Sequence, residues 1–161
     1  MIDDIDGKIL NILQLNARTS NAEIARQVGL TPSAVFERLR KLEERGVIRG
    51  YSVNLDPRAV DLSLVCYIFV RSSERAGSPK TAECLAEIPE VLEVHHVAGE
   101  DCFLLKVRAA DTEAVGRLLR EKFGKIPSIT STRTTIVLET VKETAALPIP
   151  AAEEEPEVRS A

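Results

Sequence analysis

A chain of 161 residues, 44% hydrophobic and 29% charged, is long enough for one large domain or two small ones and apolar enough to bury a core. Its longest apolar run, residues 64–70, is far too short to span a bilayer, and its acidic start "MIDDIDGKIL" lacks a basic region followed by an apolar one, so a cytoplasmic protein with no membrane partner is expected. The net charge of −4 is uneven: residues 1–50 hold eight Lys or Arg against seven Asp or Glu and the remainder holds 13 against 18, so contact with a polyanion is excluded globally but not locally.

The first helix is expected from Asp3 or Asp4 to Asn16. Ile5, Ile9, Ile12 and Leu13 form one apolar stripe, and the early aspartates suit a helix N-terminus. Ser20 and Glu23 make a capping box for a second helix, with Ala22, Ile24, Ala25 and Val28 inside and Gly29 as its stop. Thr31 caps a third helix with Pro32 at its first position, and Val35, Leu39 and Leu42 form its inner stripe. Small Ala25, turn-forming Gly29 and wedge-like Val35 have the spacing of a helix-turn-helix. An ordinary packed helical hairpin is the alternative. Opposite the inner stripe of the third helix lie Ser33, Glu37, Arg40 and Lys41, with Ala34 and Arg38 at the flank. With Thr31, these seven residues are the candidate DNA contacts: short side chains near the helix start allow close entry to the major groove, cations meet phosphate or guanine, and Glu accepts from cytosine. The competing reading of the same cations is a solvated face paired with Glu37, Glu43 and Glu44.

Gly46 ends the third helix, residues 47–55 alternate like a strand, and Asp56-Pro57 marks a turn. The organisation predicted is a DNA-binding domain over residues 1–50, a linker or hinge strand over 51–62, a second domain over 63–142 and a disordered acidic tail over 143–161.

Within the second domain, residues 64–70 read as a strand, 78–88 as a helix capped by Ser78, 91–97 and 102–108 as strands, 111–123 as a helix capped by Asp111, and 129–139 as a long strand. The order βαββαβ is ferredoxin-like: four antiparallel strands with two helices on one face. Residues 64–70 are apolar at every position, as are Phe103, Leu104 and Leu105, so both faces of the sheet are expected to be buried. No third layer exists in the chain to cover the second face. A dimer through sheet-to-sheet packing is therefore expected, and a two-fold protein suits a near-palindromic DNA site. His95 and His96 are strand neighbours pointing to opposite faces, which disfavours a shared metal. Cys66, Cys84 and Cys102 form no CxxC pair and read as three reduced thiols. There is no catalytic Ser/His/Asp set, paired catalytic carboxylates, P-loop or GxGxxG; no cofactor and no metal are expected. Residues 143–161, rich in Pro, Ala and Glu without periodicity, are predicted not to pack.

The stretches "IDDIDGKILNILQLNAR", "NAEIARQVGLTPSAVFERLRKLEERGVIRGY", "HHVAGEDCFLLKV" and "TRTTIVLETVK" together resemble the Lrp/AsnC (feast/famine) family of prokaryotic transcription regulators, over roughly residues 2–142. The resemblance implies an α+β protein with an N-terminal helix-turn-helix (winged-helix-like) domain and a C-terminal ferredoxin-like (ACT-like) domain that senses an effector and oligomerises. It implies a homodimer, often assembled into an octamer, that binds double-stranded DNA and an amino acid or related small molecule. The family's effectors bind between dimers at the glycine turn after the second sheet strand, which here carries Gly99, Glu100, Asp101 and Cys102, and against a wall that corresponds to Thr132 and Thr134. One position departs: many members carry Asp three residues after the glycine, where this chain has Cys102. The competing function is an enzyme or stand-alone ACT-like sensor in which residues 1–50 serve assembly.

Overall fold

The computed structural model describes residues 2–74, 79–99 and 101–150. The chain divides into two compact units, Met1–Val53 with Glu143–Ala161, and Asn54–Lys142.

In the first unit three helices follow from their caps. α1 (Asp4–Leu15) begins at Asp3, whose carboxylate accepts from the Asp6 N–H at 2.7 Å. α2 (Asn21–Val28) begins at Ser20, whose hydroxyl accepts from the Glu23 N–H at 3.2 Å. The return arm of the expected capping box is diverted: the Glu23 carboxylate is engaged by Arg26 at 2.6 Å and Gln27 at 2.6 Å. Gly29 closes α2 at φ 71°, a left-handed conformation that glycine adopts without steric cost. α3 (Pro32–Glu44) starts at Thr31, which accepts from the Ala34 N–H at 3.2 Å. Ile9, Ile24, Ala25, Val35 and Leu39 pack where the helices meet, edged by Ile5, Ile12, Leu13, Val28, Leu30 and Ile48. The α2–α3 angle is therefore set by a small aliphatic core rather than by aromatic bulk.

Residues 47–55 do not form the expected strand. The apolar residues Tyr51, Val53 and Leu55 are exposed, as are the polar residues between them, so the alternation of the sequence is not matched by a buried side, and a strand forms only where a paired neighbour satisfies its backbone. Residues 143–150 hold no helix or strand and are mostly exposed, but two of them touch the surface of α1, against the expectation that they would not pack. Leu147 and Ile149 bond to Gln14 and Asn11 of α1.

In the second unit, a 3₁₀ turn (Pro57–Val60) leads into β1 (Leu64–Ser72), followed by α4 (Lys80–Ala86), β2 (Val91–His96), β3 (Phe103–Ala109), α5 (Thr112–Glu121), a 3₁₀ turn (Phe123–Lys125) and β4 (Ile129–Ile136). The sheet order is β2-β3-β1-β4 with every pair antiparallel, the ferredoxin-like arrangement predicted. Cys66, Ile68 and Val70 of β1 and Phe103, Leu105 and Val107 of β3 pack under Leu85, Ile88, Val115, Leu118 and Phe123. The opposite face carries Tyr67, 36% exposed, and Phe69, with Arg133 stacked over the Phe69 ring at 4.0 Å. That face is half-covered within the single chain rather than buried.

Two local details differ from expectation. β4 ends at Ile136 rather than at residue 139, although the Val137 N–H still donates to the Val65 carbonyl at 3.0 Å. α4 is short, and its expected cap Ser78 lies outside the described residues. Glu74 serves the start of α4. Its carboxylate accepts from the Thr81 N–H at 3.0 Å and from the Thr81 hydroxyl at 2.6 Å.

Candidate nucleic-acid interface and effector turn

The seven candidate residues of the third helix separate into four groups. Thr31 and Ala34 belong to the cap itself, and the Thr31 hydroxyl also shares a hydrogen bond with Ser33 at 3.1 Å. Glu37 and Arg40 are exposed and paired at 2.9 Å, and Arg40 also reaches Glu44 one turn on. Such surface pairs are worth little and exchange readily, so Arg40 remains available to a phosphate. Lys41 is exposed and has no ion-pair partner among the described residues.

Arg38 behaves differently. Its Nη1 donates to Asp3 Oδ2 and Asp6 Oδ1, both at 2.7 Å, and its side chain is only 30% exposed. Asp6 is itself buried, only 7% exposed. Asp3 sits below the ordinary carboxylate range, first because it caps the Asp6 N–H and then because Arg38 bonds to it. The same contacts push the Arg38 guanidinium up, Asp3 contributing before Asp6. This cation joins the side of α3 to the start of α1.

Phe36 was missed by the sequence reading. It is 56% exposed on α3, and at 100° per residue it stands beside Ser33 and Arg40. A large apolar ring left in water on that face is the signal that identifies it, because an aromatic at a position outside the inner stripe has no core to enter. Apolar side chains on such a face can contact thymine methyl groups.

In the second unit Cys102 and Thr132 flank Val70 near one end of β1. At the β2–β3 turn the Val97 N–H donates to the Cys102 carbonyl at 3.0 Å. Gly99 has φ 141°, which side chains rarely tolerate, and an added Cβ would meet open space. The Cys102 N–H donates to the Val70 carbonyl at 2.9 Å, and the Cys102 thiol lies 3.7 Å from the Ser72 carbonyl. Thr132 pairs with Val70 from the other side, and Thr134 pairs with Ile68. The turn and the threonines are thus joined through Val70. Directly paired residues share a face, so Thr132 and Thr134 look toward the helical side. Asp101 turns the other way. Its carboxylate takes Arg133 at 3.0 Å with Arg71 at 3.8 Å, and is not presented beside the threonines. Glu100 lies outside the described residues.

Beside Thr132 a cavity of about 180 Å³ opens against Leu119, Phe123, Ile126 and Ile129. A larger hollow of about 350 Å³, lined by Arg58, Arg108 and Glu139 among others, lies at the other end of β1 and holds none of the candidates. His95 bonds to Glu93 at 3.1 Å, and the His96 ring lies 5.3 Å from that of Phe103. Among the described residues no three metal-ligating side chains gather, and no helix is long and apolar enough to cross a membrane.

Two family models match: a winged helix-turn-helix DNA-binding domain over residues 2–49, and the Lrp/AsnC ligand-binding domain over residues 64–147. The leucine-responsive regulatory proteins of Escherichia coli and Salmonella typhimurium are 39% identical to this chain over 152 residues, covering 92% of each sequence. Among solved structures, a transcriptional regulator of Neisseria meningitidis in complex with L-methionine superposes with a TM-score of 0.86 at 31% identity, covering 92% of this chain and 97% of its own. A feast or famine regulatory protein of Mycobacterium tuberculosis complexed with L-methionine gives 0.85 at 33%, covering 93% and 100%. Escherichia coli AsnC gives 0.84 at 29%, covering 91% and 98%. A helix-turn-helix with an exposed cationic face, a ferredoxin-like sheet and these matches over nearly the whole chain make it a member of the Lrp/AsnC family of DNA-binding transcription regulators.

Proposed function

We propose that this chain is a cytoplasmic, non-enzymatic regulator that reads a near-palindromic operator as a homodimer, with octamers as the larger assembly, and that an apolar amino acid tunes it. The observation that carries the reading is the exposed face of α3, where Phe36, Ser33, Arg40 and Lys41 stand together without a core to serve. In this reading α3 enters the major groove, Lys41 and Arg40 meet phosphate or guanine, Phe36 meets thymine methyls, and Arg38 holds the helix in place from behind. Replacing Lys41 by Ala weakens binding to the duplex upstream of the protein's own coding region, by about 1–3 kcal/mol for a base contact, or lowers the salt slope by about one for a phosphate contact. Unchanged affinity and an unchanged slope in a gel shift remove Lys41 from the interface.

The effector site is the turn at Gly99 with Cys102 and the wall of Thr132 and Thr134. Backbone N–H groups at the glycine suit a ligand carboxylate, and threonine hydroxyls can accept from an ammonium. Asp101, committed to Arg133, is a brace for the turn rather than the ammonium partner. The apolar walls beside Thr132 suit a thioether or aliphatic side chain, and L-methionine accompanies two of the structural relatives. Calorimetry with L-methionine tests the site directly. Binding by the wild type that persists at equal affinity when Thr132 and Thr134 are both replaced by Val moves the effector elsewhere.

A further inference from the structure

Residues 147–149 form a hook on α1. The Leu147 carbonyl accepts from the Ile149 N–H at 2.9 Å, which closes a three-residue turn with Pro148 at its centre. The proline ring holds φ near about −65°, close to the roughly −75° of an inverse γ-turn, so the bend is built into the chain before it meets a partner. Gly7, Asn11 and Gln14 recur at helical spacing along one side of α1 and receive it. The Gln14 amide oxygen accepts from the Leu147 N–H at 2.6 Å, and its nitrogen donates to the Leu147 carbonyl at 3.1 Å. The Asn11 amide donates to the Ile149 carbonyl at 3.3 Å. A Cβ on Gly7 would stand 3.5 Å from Ile149 Cγ2, so the half-buried isoleucine lies against bare helix backbone.

The chain crosses between its two units twice, at Val53–Asn54 and again at Lys142–Glu143. Neither crossing holds a helix or strand, over residues 49–56 or 138–146. The first is tied down near the end of α3, where the Tyr51 hydroxyl donates to Glu43 at 2.9 Å. The second is tied to α1 by the hook. A body attached at one point turns freely about it, and a second attachment elsewhere excludes the orientations beyond its reach. From Val137, held to Val65 in the sheet, to Leu147 is ten residue steps, no more than about 36 Å. A domain the size of the first unit is about 25 Å across, so half its perimeter is about 40 Å and a half-turn outruns the tether.

We infer that this second tether limits how the DNA-binding helices turn, and that Asn11, Gln14 and Ile149 thereby set the half-site spacing the regulator accepts. The inference rests on the homodimer of the proposed function. Arg38 joins α1 to α3, so a restraint on α1 is a restraint on α3. Half-sites at fixed separation demand one mutual orientation of two α3 helices, and a dimer already held near that orientation loses less freedom on binding. The three residues touch no DNA in this account; they are positioning residues.

The test uses the full chain and the duplex upstream of its own coding region, alongside the same duplex with two base pairs inserted at the centre of the protected region. The insertion turns one half-site by about 70°. The readout is the ratio of the two dissociation constants, in which any general loss of affinity or stability cancels. The wild type pays roughly tenfold or more for the insertion, and Gln14→Ala with Ile149→Ser pays threefold or less; alanine suits the helix, so α1 persists. A variant with about ten Gly and Ser residues inserted after Lys142, its hook intact, pays equally little. Equal ratios in wild type and hook variant overturn the proposal, as does a wild type indifferent to the insertion. Relaxation on opening the hook but not on lengthening the tether overturns it too, because the hook would then only brace α1. A wild type that sediments as a monomer fails the dimer reading and takes the spacing role with it; a dimer with unchanged ratios fails the tether alone.

Discussion

Arg38 and Lys41 sit three residues apart on one helix, and their surroundings give them different work. Lys41 is exposed with no ion-pair partner among the described residues; Arg38 is spent on Asp3 and Asp6. Arg38→Ala therefore lowers the melting temperature of the DNA-binding domain by roughly 4–8 °C, whereas Lys41→Ala leaves it unchanged. Circular dichroism of the two variants checks this, and the reverse ranking rejects the assignment. The clamp also has a pH signature. Asp3 is depressed in the folded protein, by the Asp6 N–H first and Arg38 second, so the unfolded chain takes up its proton more readily. Stability from this group is fully present above the ordinary Asp value near about 4 and is lost as pH falls through the lower folded value. The melting-temperature gap between wild type and Asp3→Asn is accordingly constant above about pH 5 and closes under more acid conditions. A gap that widens in acid has the wrong sign for this linkage. Among the cysteines, Cys66 is fully buried and its thiol is pushed up by that burial, while Cys84 is exposed. A thiol reagent labels Cys84 in the native protein and reaches Cys66 only on unfolding; native labelling of Cys66 would show that β1 opens.

The elements differ in how far their neighbours lie along the chain, and that decides what each one reveals. At the β2–β3 turn Gly99 holds φ 141° with open space around it, so Gly99→Val acts through backbone strain. The variant loses L-methionine binding in calorimetry while keeping its oligomeric state in sedimentation; retained binding separates the turn's shape from ligand capture. The caps at Ser20, Thr31 and Asp111 were legible in the sequence because donor and acceptor lie three residues apart. The service Glu74 gives to α4 was not, because it spans seven residues and a loop. The pairing of Arg38 was not legible because its partners lie 32 and 35 residues away, beyond any helical window. The strand expected over residues 47–55 shows the converse failure. Alternation reports that one side of a segment is apolar, and says nothing of whether a neighbour exists to pair with it. Leu147 and Ile149 were hidden by averaging, since a composition rich in Pro, Ala and Glu conceals two apolar residues spaced to meet one helix.

For the whole molecule, the sheet face bearing Tyr67 and Phe69 is the surface expected to join two copies. Its aromatic residues and the stacked Arg133 remain partly open to water in the single chain. Phe69→Asp places a carboxylate where a sheet-to-sheet dimer would desolvate it, so sedimentation shifts from dimer toward monomer at micromolar concentration. A wild type that is monomeric under those conditions, or a variant that stays dimeric, rejects the sheet as the interface. β1 and β4 are antiparallel neighbours, Cys66 opposes Ile136, and the Val137 N–H reaches the Val65 carbonyl. The chain therefore enters and leaves the sheet side by side. A domain whose two ends are adjacent behaves as a cassette: it can be set into a surface loop of an unrelated host without prising that host apart. Transplanted in this way, residues 63–138 would carry a sensor's shape changes to whatever loop receives them, as a strain across one narrow gap.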